Sequence, residues 1–344
     1  MINNCIILLG PTAVGKTAVG VRIAALLDGE IISADSRQVY LGLDIGSGKD
    51  LEEYTLPAGT EICGGQVLST SLTIPYHLID QTDLSQEYNV FSFLNDAYYA
   101  FGNIRARSRM PVIVGGTGMY LDGFIRGYDF NNDSHGIIKS MQLENNPRHR
   151  THRGPSENLI RPEIHPLILG TTFPRDMLRQ NIAARLKKRL DQGMITEVEG
   201  LHGAGVSWER LERLGLEYRC VALFLQGKLT DREGKNSNDV LFCALNRAIL
   251  QFAKRQETWF RGIERRGHTI LWLPAGTVEE RTAAALHLIH RAGLVKGVAN
   301  QGTSKNPGWV FSDSSGNTRS RSNSGGIGRI LRTVPRSVEI PLAF

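Results

Sequence analysis

The sequence predicts an α/β protein whose parallel sheet is flanked by helices and built around a phosphate-binding loop. Three observations predict it. The apolar run Cys5–Leu9 leads into Gly10-Pro11-Thr12-Ala13-Val14-Gly15-Lys16-Thr17, a G-x-x-x-x-G-K-[ST] pattern, and then into a stretch with helical periodicity through Val19, Ile23, Leu26 and Leu27. Two further apolar runs, Glu30–Ala34 and Pro111–Val114, end at Asp35 and at Gly115-Gly116-Thr117-Gly118. A helical pattern over residues 91–107 separates them. Strands that alternate with helices and run out into polar or glycine-rich loops describe a parallel sheet with its ligand crevice at those strand ends.

In chain order, residues 5–9 form a strand, the glycine loop follows, and a helix begins at its end. Residues 30–34 form the second strand, 91–107 a helix and 111–114 the third strand. Periodicity then fades from Asn131 to His165, where 145–155 reads as a polar loop. A strand is expected again at Pro166–Gly170, then a long basic helix over about 175–202 and another over 239–266. Beyond about residue 297, Gly, Ser, Asn and Arg dominate, a composition that buries too little apolar surface to order itself. The expected organisation is a P-loop core over 1–121, a short loop-like interval over 122–165, the rest of the core over 166–296 and a flexible tail over 297–344.

At 344 residues, with 41% hydrophobic and 22% charged residues, the chain is long enough for a large core and has a globular composition. No apolar run reaches bilayer length, and the N-terminal one is too short for a leader, so a cytoplasmic protein is expected. Cys5, Cys63, Cys220 and Cys243 never fall in C-x-x-C spacing, which argues for buried or inert thiols. The net charge of +6 is concentrated in the tail, where Lys305, Arg319, Arg321, Arg329, Arg332 and Arg336 face only Asp313 and Glu339.

The loop Gly10–Thr17 lets backbone N–H groups surround phosphate oxygens at a helix N-terminus; Lys16 adds a positive charge and Thr17 a hydroxyl suited to Mg²⁺. Any nucleotide or diphosphate ester satisfies those donors. Asp35 suits either a Mg²⁺ ligand or general base in the crevice, or a helix N-cap. Thr117 sits where a substrate contact or a tight turn would. The run Phe252–Arg261 interleaves cations with aromatics, as an RNA-binding helix does and as an amphipathic helix with a buried aromatic face also does. His149 and His152 lack a metal-ligand set. Tyr40, Phe91 and Phe93 read as core or crevice wall.

Taken together, the loop Gly10–Thr17, Glu30–Tyr40 with Gly42-Leu43-Asp44-Ile45-Gly46, Tyr76-His77-Leu78-Ile79-Asp80, Val114–Leu121, Gly215-Leu216-Glu217-Tyr218-Arg219 and Ala253–Arg261 resemble the tRNA dimethylallyltransferases over roughly two-thirds of the chain. The resemblance implies a P-loop NTPase-like fold with a reduced helical insertion, since residues 122–165 are short and carry six basic and six acidic residues. It implies transfer of a dimethylallyl group from dimethylallyl diphosphate to the exocyclic N6 amine of the adenine beside the anticodon, with release of diphosphate. By matching position, Gly10, Pro11, Thr12, Ala13, Val14, Gly15, Lys16 and Thr17 would bind the diphosphate. Thr17 would hold Mg²⁺, Asp35 would take the amine proton, and Lys16, Thr17 and Thr117 would assist the chemistry. Asp35, Ser36, Arg37, Gln38 and Thr117 would meet the extruded adenine, while Arg219, Lys254, Arg255 and Gln256 would hold RNA backbone. The expected protein is a monomer with tRNA as its macromolecular partner. Two other classes fit some of the residues: a small-molecule P-loop enzyme, either a nucleotide kinase with Arg148, Arg150 and Arg153 as its lid or an adenylate prenyltransferase, and a tRNA-binding homologue without turnover.

Overall fold

A computed structural model describes residues 3–63, 66–128, 161–231, 234 and 236–294. The sheet is formed by β1 (Cys5–Leu9), β2 (Gly29–Ala34), β3 (Tyr76–His77), β4 (Met110–Gly115), β5 (Pro166–Gly170) and β6 (Leu271–Trp272). Its order is β6-β5-β1-β4-β2-β3, and every pairing is parallel. Ile7 pairs with Ile113 on one side and Ile168 on the other, so β1 is the central strand. Both faces of such a sheet must be covered, which is why its strands are continuous apolar runs.

The pleat sends Cys5, Ile7 and Leu9 to one face and Ile6 and Leu8 to the other. On the first face they meet α2 (Val90–Ala106) and α3 (Gly118–Arg126) through Phe93, Leu94, Phe101, Leu121 and Phe124. On the second they meet α1 (Lys16–Leu26) through Val19, Val21 and Ile23. A third apolar cluster joins the helices α4 (Arg175–Asp191), α5 (Met194–Gly203), α6 (Trp208–Arg213), α7 (Leu216–Leu225) and α8 (Asn238–Arg265) with Val14, Val39, Tyr40 and Leu43. At 28 residues α8 spans about 40 Å. Its first half, through Leu241, Leu245, Ile249 and Ala253, belongs to the third cluster, and its second, through Phe260 and Ile263, to the sheet. Between those halves it passes the loops at the strand ends. A last helix, α9 (Val278–Arg291), packs Ala285 and Ile289 beside α1.

The parallel sheet and flanking helices match the expectation, with local differences. The helix expected over 175–202 is two, because Gly193 turns the chain at φ 96°, a region open to glycine. The expected boundary after Leu121 falls inside α3. Strands β3 and β6 have two residues each, too few to show a period. Helix α9, absent from the expectation, begins at a reciprocal capping box of Thr277 and Glu280.

Residues 129–160, with Arg148, His149, Arg150, His152 and Arg153, and the tail from 297 lie outside the described residues. Tyr40 and Phe93 are buried in the core. Cys5 is buried in the sheet, and burial pushes its thiol up to about 12, so it is inert. Among the described residues no helix is long and apolar enough to cross a membrane.

Candidate active site

The loops that follow β1, β2 and β4 meet α4, α7 and α8 around a cavity of about 530 Å³. Thr12, Ala13, Gly15, Lys16 and Thr17 line it, whereas Gly10, Pro11 and Val14 are buried behind the loop and support it. Gly10 lies so close to the Thr171 backbone that a side chain would overlap it. Gly15 adopts φ 67°, which lets the backbone turn into α1.

Lys16 Nζ donates to the Pro11 carbonyl at 2.7 Å. Burial, reinforced by the Arg185 guanidinium, pulls the Lys16 ammonium down to about 7. This sets a pH dependence with a definite sign. A bound diphosphate favours the ammonium, so binding is expected to take up a proton above pH 7 and affinity to fall as pH rises through that range. Calorimetric titration of a diphosphate monoester in buffers of different ionisation enthalpy is expected to show uptake at pH 8 that Lys16→Met removes. Equal uptake in both proteins would refute the assignment.

Asp35 follows β2 directly and lines the same cavity. Its Oδ1 accepts from the backbone N–H of Arg37 at 2.8 Å and of Gln38 at 3.4 Å, while Oδ2 has no partner among the described residues. The carboxylate therefore caps a turn rather than a helix, and the same side chain lines the crevice. Thr117, after β4, ties the two loops: its N–H donates to the Ala34 carbonyl at 3.2 Å, and its Oγ1 accepts from the Ser36 N–H at 3.2 Å. Ser36 and Arg37 line the cavity, with Arg37 packed against Gly215. Gln38 accepts from Ser33 Oγ and donates to the Gly48 carbonyl at 3.0 Å, fixing the Gly46–Gly48 segment. Glu197 closes that segment from beneath: its carboxylate accepts from the N–H groups of Asp44, Ile45 and Gly46 and from the Tyr218 hydroxyl.

Opposite the phosphate loop stand cations from α4, which in sequence are only part of a basic helix. Arg185 reaches Thr12 Oγ1 at 3.4 Å and Asp50 at 2.9 Å, and the buried Arg189 donates to the Gly46 carbonyl at 3.4 Å. Burial lowers Arg189 to about 10, which still leaves it charged at neutral pH. Two cavity carboxyls, Glu53 and Glu217, are held above the usual carboxylate range by burial.

Arg281 of α9 was also missed. Its guanidinium donates to the Val14 carbonyl and to Thr171 Oγ1 and stacks over Phe173 at 4.9 Å, clamping the phosphate loop from behind. Arg281→Met leaves those acceptors unpaired and is expected to cost about 1–3 kcal/mol, read as a fall of a few degrees in the melting midpoint together with weaker diphosphate binding. An unchanged midpoint and affinity would refute this role.

The RNA-backbone set expected on α7 and α8 divides. Arg219, Lys254 and Arg255 are exposed. Arg255 sits 5.8 Å over the Phe252 ring, and both line the cavity. Gln256 departs from the expectation: it is buried and its amide is spent on the protein, Oε1 accepting from the Thr12 N–H and Nε2 donating to the Gly116 carbonyl, each at 2.9 Å. It is therefore no outward contact for an RNA backbone.

No cluster of three or more His, Cys, Asp or Glu able to hold a metal occurs among the described residues. Of the oxygen groups on the cavity, the Thr17 hydroxyl at the phosphate loop and the unpaired oxygen of Asp35 fit Mg²⁺, which keeps waters and completes its shell with substrate phosphates.

Residues 38–154 and 132–263 match the family model described as IPP transferase, and residues 3–57 match that described as isopentenyl transferase. A tRNA dimethylallyltransferase 2 of Treponema denticola is 43% identical over 308 residues, which cover 79% of this chain and 96% of that protein. A tRNA dimethylallyltransferase 1 of Geotalea uraniireducens is 44% identical over 301 residues, covering 78% and 92%. Among solved structures, the full-length tRNA isopentenylpyrophosphate transferase of Bacillus halodurans superposes with a TM-score of 0.61 at 26% identity, covering 85% of this chain and 97% of that one. A eukaryotic dimethylallyltransferase acting on tRNA shares the fold, with a TM-score of 0.57 at 21% identity and coverage of 83% and 78%.

Proposed function

The chain belongs to the tRNA dimethylallyltransferase family, and on that premise we propose that its cavity transfers a dimethylallyl group from dimethylallyl diphosphate to the N6 amine of the adenine adjacent to the anticodon in tRNA. The observation that carries this reading is the placement of a phosphate loop and the unpaired oxygen of Asp35 on one cavity. A phosphate loop alone serves many reactions; a carboxylate oxygen facing it supplies what an amine nucleophile needs.

In this reaction the N6 amine attacks the first carbon of the prenyl chain. The N–C bond forms as the C–O bond breaks, the bonding pair leaves on the diphosphate, and the amine proton passes to Asp35 Oδ2. The loop N–H groups, Lys16 and Arg185 meet the charge that grows on the departing diphosphate. Mg²⁺, held by Thr17 with Asp35 nearby, would add positive charge at the same oxygens when bound. Ser36, Arg37 and Thr117 surround the acceptor, which must leave its stack to reach a site this enclosed. The exposed cations Arg219, Lys254 and Arg255 suit the flanking RNA backbone.

The test incubates the protein with dimethylallyl diphosphate, Mg²⁺ and an unmodified tRNA bearing adenine at that position, with free AMP as a parallel acceptor, and reads nucleoside products by mass spectrometry. N6-prenylated adenosine from tRNA alone is the expected result. Product from AMP alone would make the chain an adenylate prenyltransferase, and product from neither would overturn the reading.

A further inference from the structure

Gln256 joins two loops that are 104 residues apart in sequence, the phosphate loop at Thr12 and the acceptor-side loop at Gly116. The fit leaves no slack: a side chain at Gly116 would overlap the Gln256 amide and press on the Gly10 carbonyl. Three residues further along α8, Trp259 packs so closely on Gly118 that a side chain there would overlap it. Thr117, between those two glycines, is thereby held from both sides by one helix, and its hydroxyl in turn fixes the Ser36 N–H next to Asp35. The donor loop, Thr117 and the Asp35 turn are thus referenced to a single rigid element, whose outward face at the same level carries Lys254 and Arg255.

We infer that Gln256 is a positioning residue for the transfer reaction, setting the separation between the diphosphate loop and the Thr117–Asp35 loop and hence between the prenyl carbon and the acceptor amine. This rests on the function proposed above. An amide suits the task because it accepts and donates at once; a carboxylate, a cation or an apolar side chain of the same length makes at most one of the two bonds. Misplacing reacting groups by about an ångström costs on the order of a hundredfold in rate without touching the groups themselves.

The experiment compares Gln256→Met and Gln256→Glu with the parent protein, measuring kcat and both KM values across pH 5.5–8.5 with melting midpoints alongside. Gln256→Met is expected to lose about 30- to 100-fold in kcat with both KM values within about threefold. Gln256→Glu keeps the bond from Thr12 but donates to Gly116 only when protonated, so its kcat relative to the parent is expected to climb as pH falls. That recovery is readable even if the Met variant folds poorly, and a merely structural role would not produce it. Unchanged kcat in Gln256→Met, a rise confined to the tRNA KM, or a Gln256→Glu ratio that is flat with pH would each overturn the inference. A parent protein that makes no prenylated product would instead overturn the functional reading itself.

Discussion

Asp35→Asn is expected to lower kcat by about 10²- to 10⁴-fold, the range a positioned general base supplies, while diphosphate affinity stays within about threefold. The asymmetry follows from the two oxygens of this carboxylate. Oδ1 accepts the N–H groups of Arg37 and Gln38, and an asparagine oxygen does the same, so the turn after β2 and the Ser36–Thr117 bond beside it survive. Oδ2 has no partner among the described residues on a side chain that lines the cavity, and its replacement by an amide nitrogen takes away a lone pair able to accept the amine proton. Asp35→Ala separates the roles further: it loses base and turn cap together, adding about 1 kcal/mol of destabilisation to the same loss of turnover. Residual turnover above about a tenth in Asp35→Asn would remove Asp35 from the proton transfer.

Lys16→Met is expected to weaken binding of a diphosphate monoester by about two orders of magnitude, since a charge-assisted bond in a largely enclosed site contributes roughly 3 kcal/mol. Methionine fills similar volume, and the lysine's present bond is to a loop carbonyl at 2.7 Å rather than to anything distant, so the fold around β1 and α1 should persist. Isothermal titration with a non-reacting monoester measures the effect, with melting temperature as the control for folding. A loss of less than about fivefold would mean that the loop N–H groups and Arg185 hold the diphosphate without the lysine.

The loop half of the site is legible because it is local. Strand, glycine loop and helix follow one another within residues 5–26, and Asp35 and Gly115–Gly118 sit at the ends of apolar runs, where a parallel sheet opens its crevice. The supporting half is not, because its bonds join distant segments. Gln256 touches a residue 244 positions away, Arg281 one 267 positions away and Arg185 one 173 positions away. Even so, local traces existed. Ala253, Gln256, Phe260 and Ile263 recur at helical spacing and are all buried, which places an amide on an apolar face. Arg189 recurs in the same way after Ile182 and Leu186 on α4. A polar residue inside an apolar stripe signals a committed partner, whereas the run Phe252–Arg261 taken alone fits an RNA-binding helix and an amphipathic helix with a buried aromatic face alike. The elements of two residues, β3 and β6, had no period to detect.

The most direct measurement is a structure of the protein with a non-reacting thio-analogue of dimethylallyl diphosphate and an anticodon stem–loop carrying the acceptor adenine. The diphosphate is expected on the Gly10–Thr17 loop, with the adenine out of its stack and its N6 amine within about 3 Å of Asp35 Oδ2. An adenine that remains stacked, or an amine that points away from Asp35 while the diphosphate occupies the loop, would contradict it.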